Sequence, residues 1–194
     1  DDSSSVSCLT GRISGGNVNI FNCTATDCVV SLSLTDSSPG GILIGQIYLI
    51  TSNSKTVNVA DCHIIGGSMT GYDDIGGFIG SVVIEKNDCI VNIFNCDSSA
   101  EVNIADVENG GFVGYVEIRK GLRNIINIIN CYCTGNVNFI PTDDGASVFI
   151  GGFAGLIVLD GTRNYSTMGS WIFVMSCYAT GNVTVNSGPV DSPL

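Results

Sequence analysis

The chain is poor in positive charge. Seven Lys and Arg stand against 18 Asp and Glu, giving a net charge of −11 over 194 residues. Such a surface offers no basic patch for phosphates, which excludes nucleic acid as a partner and disfavours an anionic membrane surface. Cations, Ca²⁺ among them, are its natural small partners. Charge of either sign is scarce at 13%, whereas apolar residues reach 44%, so the chain has enough apolar surface to fold. No run of 18 apolar residues occurs, and the sequence predicts no membrane insertion. Helical periodicity is missing over any ten residues, as is a capped helix start. The opening Asp1-Asp2-Ser3-Ser4-Ser5 lacks the basic and apolar regions of a signal peptide. It reads as the mature end left after one is removed, or as the start of a domain cut from a longer chain. There is one histidine and no Cys-x-x-Cys, so the parts of a zinc site are lacking. His63 follows Cys62, but neighbours on a strand face opposite ways, which places His63 at a surface or corner and rules out a Cys–His nucleophile.

What the chain does have is repetition. A double glycine followed by apolar residues and a third glycine recurs at Gly40-Gly41, Gly76-Gly77, Gly110-Gly111 and Gly151-Gly152, with the third glycine at Gly45, Gly80, Gly114 and Gly155. A second phrase ends in cysteine at Cys23, Cys62, Cys96, Cys131 and Cys177. The double glycines are 36, 34 and 41 residues apart, the cysteines 39, 34, 35 and 46. Periods in this range mean stacked units, each unable to bury its own apolar face.

Each full unit contains three strand-like runs. In one they are Gly111–Ile118, Asn124–Cys131 and Gly135–Phe139. The runs are short, β-branched and partly alternating, as in Asn136-Val137-Asn138-Phe139. Three strands and three turns describe one coil of a right-handed parallel β-helix. The fold expected is a single all-β solenoid over 1–194, of about five three-strand coils spaced ~4.8 Å apart. Residues 1–7 and 188–194 read as extended polar tails available for inter-subunit contact. The double glycines suit sharp corners, and the third glycine is expected to make room for a large neighbour such as Phe78, Phe112 or Phe153. These phenylalanines recur at one position, as core residues would.

Like residues then stack on like. Cys23, Cys62, Cys96, Cys131 and Cys177 form one column, and the residues before them form an asparagine-rich ladder. Parallel Cβ vectors make disulfides awkward within the column, which leaves reduced thiols and bridges as competing states. The off-column Cys8, Cys28, Cys89 and Cys133 are better placed to bridge. With nine cysteines, at least one has no partner in the chain. Glycosylation acceptors are written at Asn22, Asn164 and Asn182. Few lysines, many Thr, Ser and Asn, and frequent cysteine lean towards a secreted or cell-surface protein.

The phrases Asn130-Cys131-Tyr132-Cys133-Thr134-Gly135-Asn136-Val137 and Ser176-Cys177-Tyr178-Ala179-Thr180-Gly181-Asn182-Val183, each after a Gly-Gly-Phe-x-Gly, resemble the GLUG-type repeat of surface adhesins and haemagglutinin-like proteins. The likeness spans about residues 40–185 and weakens in the earlier units, where His63-Ile64-Ile65-Gly66 follows Cys62 and Asp97-Ser98-Ser99-Ala100 follows Cys96. It implies a β-rich adhesive or stalk segment outside the cell and carries no catalytic residue.

Chemistry has few candidates. Acidic turns precede the double glycines at Asp36, Asp73-Asp74, Asp106 with Glu108, and Asp143-Asp144. Stacked, Asp73, Asp74, Asp143 and Asp144 are weak Ca²⁺ candidates, since Ca²⁺ wants six to eight oxygens and turns use Asp in any case. No other cofactor is implied. Paired carboxylates also occur in polysaccharide hydrolases. The reading is therefore an extracellular structural or adhesive module without catalysis, self-associating head to tail into a fibre or stalk, with a glycan or cell-surface receptor as a further partner. The alternative is a carbohydrate-binding or carbohydrate-cleaving β-helix.

Overall fold

The computed structural model describes residues 4–35, 37–140, 148–160 and 169–185. Among them there is no helix. Every strand pairs in parallel with its equivalents one coil away, and the strands form five stacked sheets. The protein is a parallel β-helix.

Three sheets are long. The first stacks Thr10–Ile13, Ile44–Leu49, Ile79–Ile84, Val113–Ile118 and Ala154–Leu159. The second stacks Val18–Phe21, Thr56–Ala60, Ile90–Phe94, Ile125–Ile129 and Trp171–Met175. The third stacks Val29–Ser31, Ser68–Gly71, Glu101–Ile104, Val137–Phe139 and Val183–Val185. Two corner sheets of short strands join them. One links second to third through Thr24–Thr26, His63–Ile65, Asp97–Ser98, Tyr132–Cys133 and Tyr178–Ala179. The other precedes the first sheet through Gly40–Gly41, Ile75–Gly76, Asn109–Gly110 and Ile150–Gly151. The three runs read per coil are thus joined by two shorter ones, which carry too few residues to show alternation.

Alternation decides the second sheet. Val57, Val59, Val91, Ile93, Ile126 and Ile128 point inward and are fully buried. The residues between them point out, and Asn58, Asn92 and Asn127 lie in exact register with Asn19 below. Each side-chain amide donates to the oxygen of the one below at 2.8 Å (Asn58 to Asn19, Asn92 to Asn58, Asn127 to Asn92). A ladder that uses both ends of each amide removes the penalty of a half-buried polar row.

The corner after this sheet turns on a left-handed residue. Asn22, Asp61, Asn95, Asn130 and Ser176 have φ between 52° and 54°, and each immediately precedes a column cysteine. Asn and Asp adopt this conformation at least cost after glycine. The turn aims the next side chain inward. Cys62, Cys96 and Cys131 are fully buried, and their thiols donate to the carbonyls of Ala60, Phe94 and Ile129 at 3.2, 3.1 and 3.4 Å. A small apolar residue with a weak donor suits a buried corner, where the thiol adds to a carbonyl that already accepts a backbone amide of the coil below.

The glycine corner is built by close approach. None of the double glycines has positive φ. A Cβ on Gly41 would stand 2.6 Å from the Gly80 nitrogen, and one on Gly76 would stand 2.8 Å from the Phe112 oxygen. The third glycine does not accommodate a phenylalanine, contrary to the sequence expectation. Val113 points into the core, so Gly114 points away from it, and a Cβ there would lie 2.6 Å from the Asp74 carbonyl carbon and the Ile75 nitrogen. The glycine strand of the preceding coil occupies that space. The phenylalanines sit inside instead, where Phe78, Phe112 and Phe153 stack with centroids 4.7 and 5.0 Å apart and rings within 8° of parallel.

Of the polar tail expected at residues 1–7, residues 4–7 are described. Val6 bridges Gly40, accepts from the Gly41 amide and donates to Pro39, and Cys8 donates to the Ile42 carbonyl. This stretch is the first rung of the glycine corner, not a free tail. Residues 188–194 lie outside the described residues.

Candidate functional site

The acidic turn before the glycine strand holds the densest cluster of ligand atoms. Asp74 and Glu108 both take a left-handed conformation (φ 52° and 59°), two residues before Gly76 and Gly110. Equivalent backbone puts their side chains over the same spot on successive coils. Carboxylate oxygens of Asp73, Asp74 and Glu108 all lie within 4.8 Å of one another. All three are half-buried. Burial, then the Glu108 charge, pushes Asp73 up to about 6. Burial followed by the charges of Asp73 and Glu108 holds Asp74 well above the ordinary carboxylate range. Glu108 is raised as well, chiefly by burial.

The nearby cations are engaged by other acids. Arg119 binds Glu85 at 2.9 Å and Glu117 at 2.8 Å, and Lys120 binds Glu85 at 2.7 Å. Beside this network, Gln46, Tyr48, Asp74, Tyr115 and Arg119 line a shallow groove of about 250 Å³. That is below the ~300 Å³ at which small-molecule pockets begin. Three carboxylates this close also leave no room for the water of an inverting glycosidase, whose pair stands roughly 6.5–9.5 Å apart.

A second polar strip runs along the thiol corner. Thr24, His63, Asp97, Tyr132 and Tyr178 occupy one register row. His63 Nδ1 pairs with Asp97, and Tyr132 stacks on Tyr178 at 5.0 Å and 2°. The Tyr132 hydroxyl is raised by the Asp97 charge first. Cys62 lies in the core while His63 lies on the half-exposed outer face, so the two do not meet. The histidine is at a surface corner, as expected, but its stacking on a carboxylate was not anticipated. Register alone would have revealed it, since Cys62 and Cys96 align His63 with Asp97.

The described cysteines are all thiols. Successive column members are close enough to perturb one another, Cys96 with Cys131 and Cys131 with Cys177. Of the off-column set, Cys8 and Cys28 come together, and the Cys8 thiol is pushed up to about 11 by partial burial and by Cys28. Cys89 and Cys133 are buried apart. They donate to the carbonyls of Asn87 and Gly152. Asn22 and Asn182 are exposed. Asn164, Asp143 and Asp144 lie outside the described residues, so of the four Ca²⁺ candidates Asp73 and Asp74 can be placed. Their neighbour is Glu108.

Among the described residues, both end coils of the β-helix expose inward-facing apolar side chains. A concavity of about 630 Å³ lies at the mouth of the first coil, lined among others by Leu9, Ile13, Val18, Ile20 and Cys23. At the other end, Val174 and Val183 stack over the fully buried Ile128 and Val137 yet are 40% and 47% exposed. Trp171, Phe173, Met175 and Tyr178 around them are exposed too.

In comparisons with known proteins, no family model, no curated protein and no solved structure matches this chain.

Proposed function

We propose that this chain is an extracellular structural and adhesive repeat module that stacks head to tail on further copies of itself, forming a fibre or stalk without chemistry of its own. The observation that carries this reading is the pair Val174 and Val183, inward-facing residues of the last described coil that remain 40% and 47% exposed. The first coil of a second copy presents four strands in the same directions, the Val6 bridge at the glycine corner, and a mouth lined in part by Leu9, Ile13, Val18 and Ile20. Docking it there continues every sheet in parallel and removes two unpaired edges. The interface is heterologous, so it propagates as a filament. Continuous ladders suit a part that bears load and resists proteolysis. The likeness to GLUG-type repeats points the same way, as does the low lysine content.

Sedimentation over a concentration series, with electron microscopy of the concentrated protein, tests this. Growth into rods is expected, and Val174→Asp should hold the protein monomeric by placing a charge at the open end. Monomers alone at high concentration would sink the reading.

A second reading, glycan binding, is favoured by one feature. Tyr132 and Tyr178 present parallel rings beside Asp97 on an exposed strip, an arrangement that suits the face of a sugar ring. A glycan array with wild type and Tyr178→Ala, alongside a reducing-sugar assay, separates binding from cleavage and both from a purely structural role.

A further inference from the structure

The acidic turn is more than a crowd of surface carboxylates. Asp106, at 8% exposure, is buried beside it, and its Oδ1 is closed to solvent and accepts no hydrogen bond. Its charge bears on both Asp73 and Glu108, so it stands close to the cluster. Asp73 Oδ1 is likewise buried without a donor. Buried carboxylate oxygens without partners are costly, and here two of them lie at one turn with two further acids. Ser81 adds a hydroxyl oxygen in contact with Asp74. Arg119 is a cation whose charge reaches Glu108, and Glu85 and Glu117 hold it.

Geometry narrows what would fit. Oxygens sharing one Ca²⁺ at 2.3–2.6 Å lie no more than about 5 Å apart, and those sharing Mg²⁺ no more than about 4 Å. The oxygens of Asp73, Asp74 and Glu108 fall within 4.8 Å, inside the Ca²⁺ limit. The ligands are all hard oxygens, which excludes the softer metals. The register also bounds the site. Gly40 pairs with Ile75 and Asn109 with Ile150, which sets Pro39 below Asp74 and Phe149 above Glu108. The carboxylates therefore occur on two coils and are closed off on either side, as a single site requires.

We propose that Asp73, Asp74 and Glu108, with Asp106 behind them and Ser81 alongside, bind one divalent cation of Ca²⁺ size that clamps two successive coils of the solenoid. The ion supplies the charge that the turn lacks. It replaces repulsion between adjacent coils with a shared ligand and fixes the glycine strand that lies across the first sheet.

The test uses the whole chain stripped with a chelator. Isothermal titration with Ca²⁺ should give one saturable site, bound at least about tenfold more tightly than Mg²⁺, and melting temperature should rise with Ca²⁺ concentration. Glu108→Gln and Asp74→Asn should each weaken Ca²⁺ binding by at least about tenfold. Both should melt higher than wild type in chelator, because each removes a repelling charge, and this also reports that the variants fold. Asp88→Asn, at an exposed acid paired with Arg123 elsewhere on the surface, should leave binding unchanged. No saturable heat together with a melting temperature indifferent to Ca²⁺, or Ca²⁺ binding insensitive to both cluster variants, would overturn the proposal.

Discussion

Adding one methyl group at Gly114 tests how the glycine corner is built. Gly114 does not have positive φ, so alanine brings no backbone strain of its own. The added Cβ would lie 2.6 Å from the Asp74 carbonyl carbon and the Ile75 nitrogen, and 2.8 Å from the Glu108 oxygen. All three are backbone atoms held by the sheets, so relief requires the glycine strand to lift. Overpacking of this kind costs about 1–3 kcal/mol, more when backbone must move. Alanine also stiffens the unfolded chain, which offsets about 0.4–1 kcal/mol. A net loss of roughly 2 kcal/mol remains, equivalent to about 4–8 °C in melting temperature for a chain of this size. Urea and thermal denaturation measure it. Gly152→Ala is the control, because a Cβ there first meets the Ala179 methyl at 3.2 Å in the open last coil. It should stay within about 0.5 kcal/mol of wild type. If Phe112 were what Gly114 accommodates, Phe112→Leu would rescue Gly114→Ala. Close packing against Asp74 and Ile75 makes the two changes additive within about 0.5 kcal/mol. A neutral Gly114→Ala, or rescue by leucine, would refute this account of the corner.

Phe112→Ala removes the middle ring of the buried stack and should cost about 3–5 kcal/mol, seen as a fall in the urea midpoint. Asn92→Ala deletes two amide hydrogen bonds of 2.8 Å and strands Asn58 and Asn127, so a loss of about 1–3 kcal/mol is expected by the same measurement. Glu85 has its pKa lowered: burial alone raises it, but hydrogen bonds from Lys120, Tyr48 and Arg119 outweigh that. Its contribution is present above the ordinary value of 4.5 and lost as pH falls through the lower folded value, so Glu85→Gln should flatten the acid limb of the stability profile. Native thiol titration should modify Cys8 early and reach Cys62, Cys96 and Cys131 only on unfolding, with nine thiols counted in denaturant.

The solenoid was legible because its period is carried by residues with backbone duties. The double glycines and the inward cysteines mark two corners per coil, and the distance between like marks is the length of a coil. The two corner sheets were not legible. A strand of two residues, such as Tyr132–Cys133 or Asn109–Gly110, has no alternation to read. The reason for the third glycine was misread for a related cause. Phe112 is two residues from Gly114 in the chain, but the atoms that need its space belong to Asp74 and Ile75, on the preceding coil. Contacts between coils follow register, and register is a three-dimensional property until every insertion has been placed.

The candidate site shows the same limit from the other side. Counting back from the double glycine puts Asp74 and Glu108 at equivalent positions, so their meeting could have been read from the repeat. Asp143 and Asp144 were paired with them because they too precede a double glycine, but they lie eight and seven residues before Gly151, whereas Glu108 lies two before Gly110. The position equivalent to Glu108 in that unit is Phe149. A stacked repeat turns any residue shared by neighbouring units into a column, which is harmless for Asn92 and stabilising for Phe112. For an acid it multiplies repulsion. The chain interrupts the acidic column with Pro39 on one side and Phe149 on the other, leaving a single carboxylate-rich step between two coils. Such a step is relieved by positive charge, which the proposed cation would supply, and chelation at neutral pH tests for it.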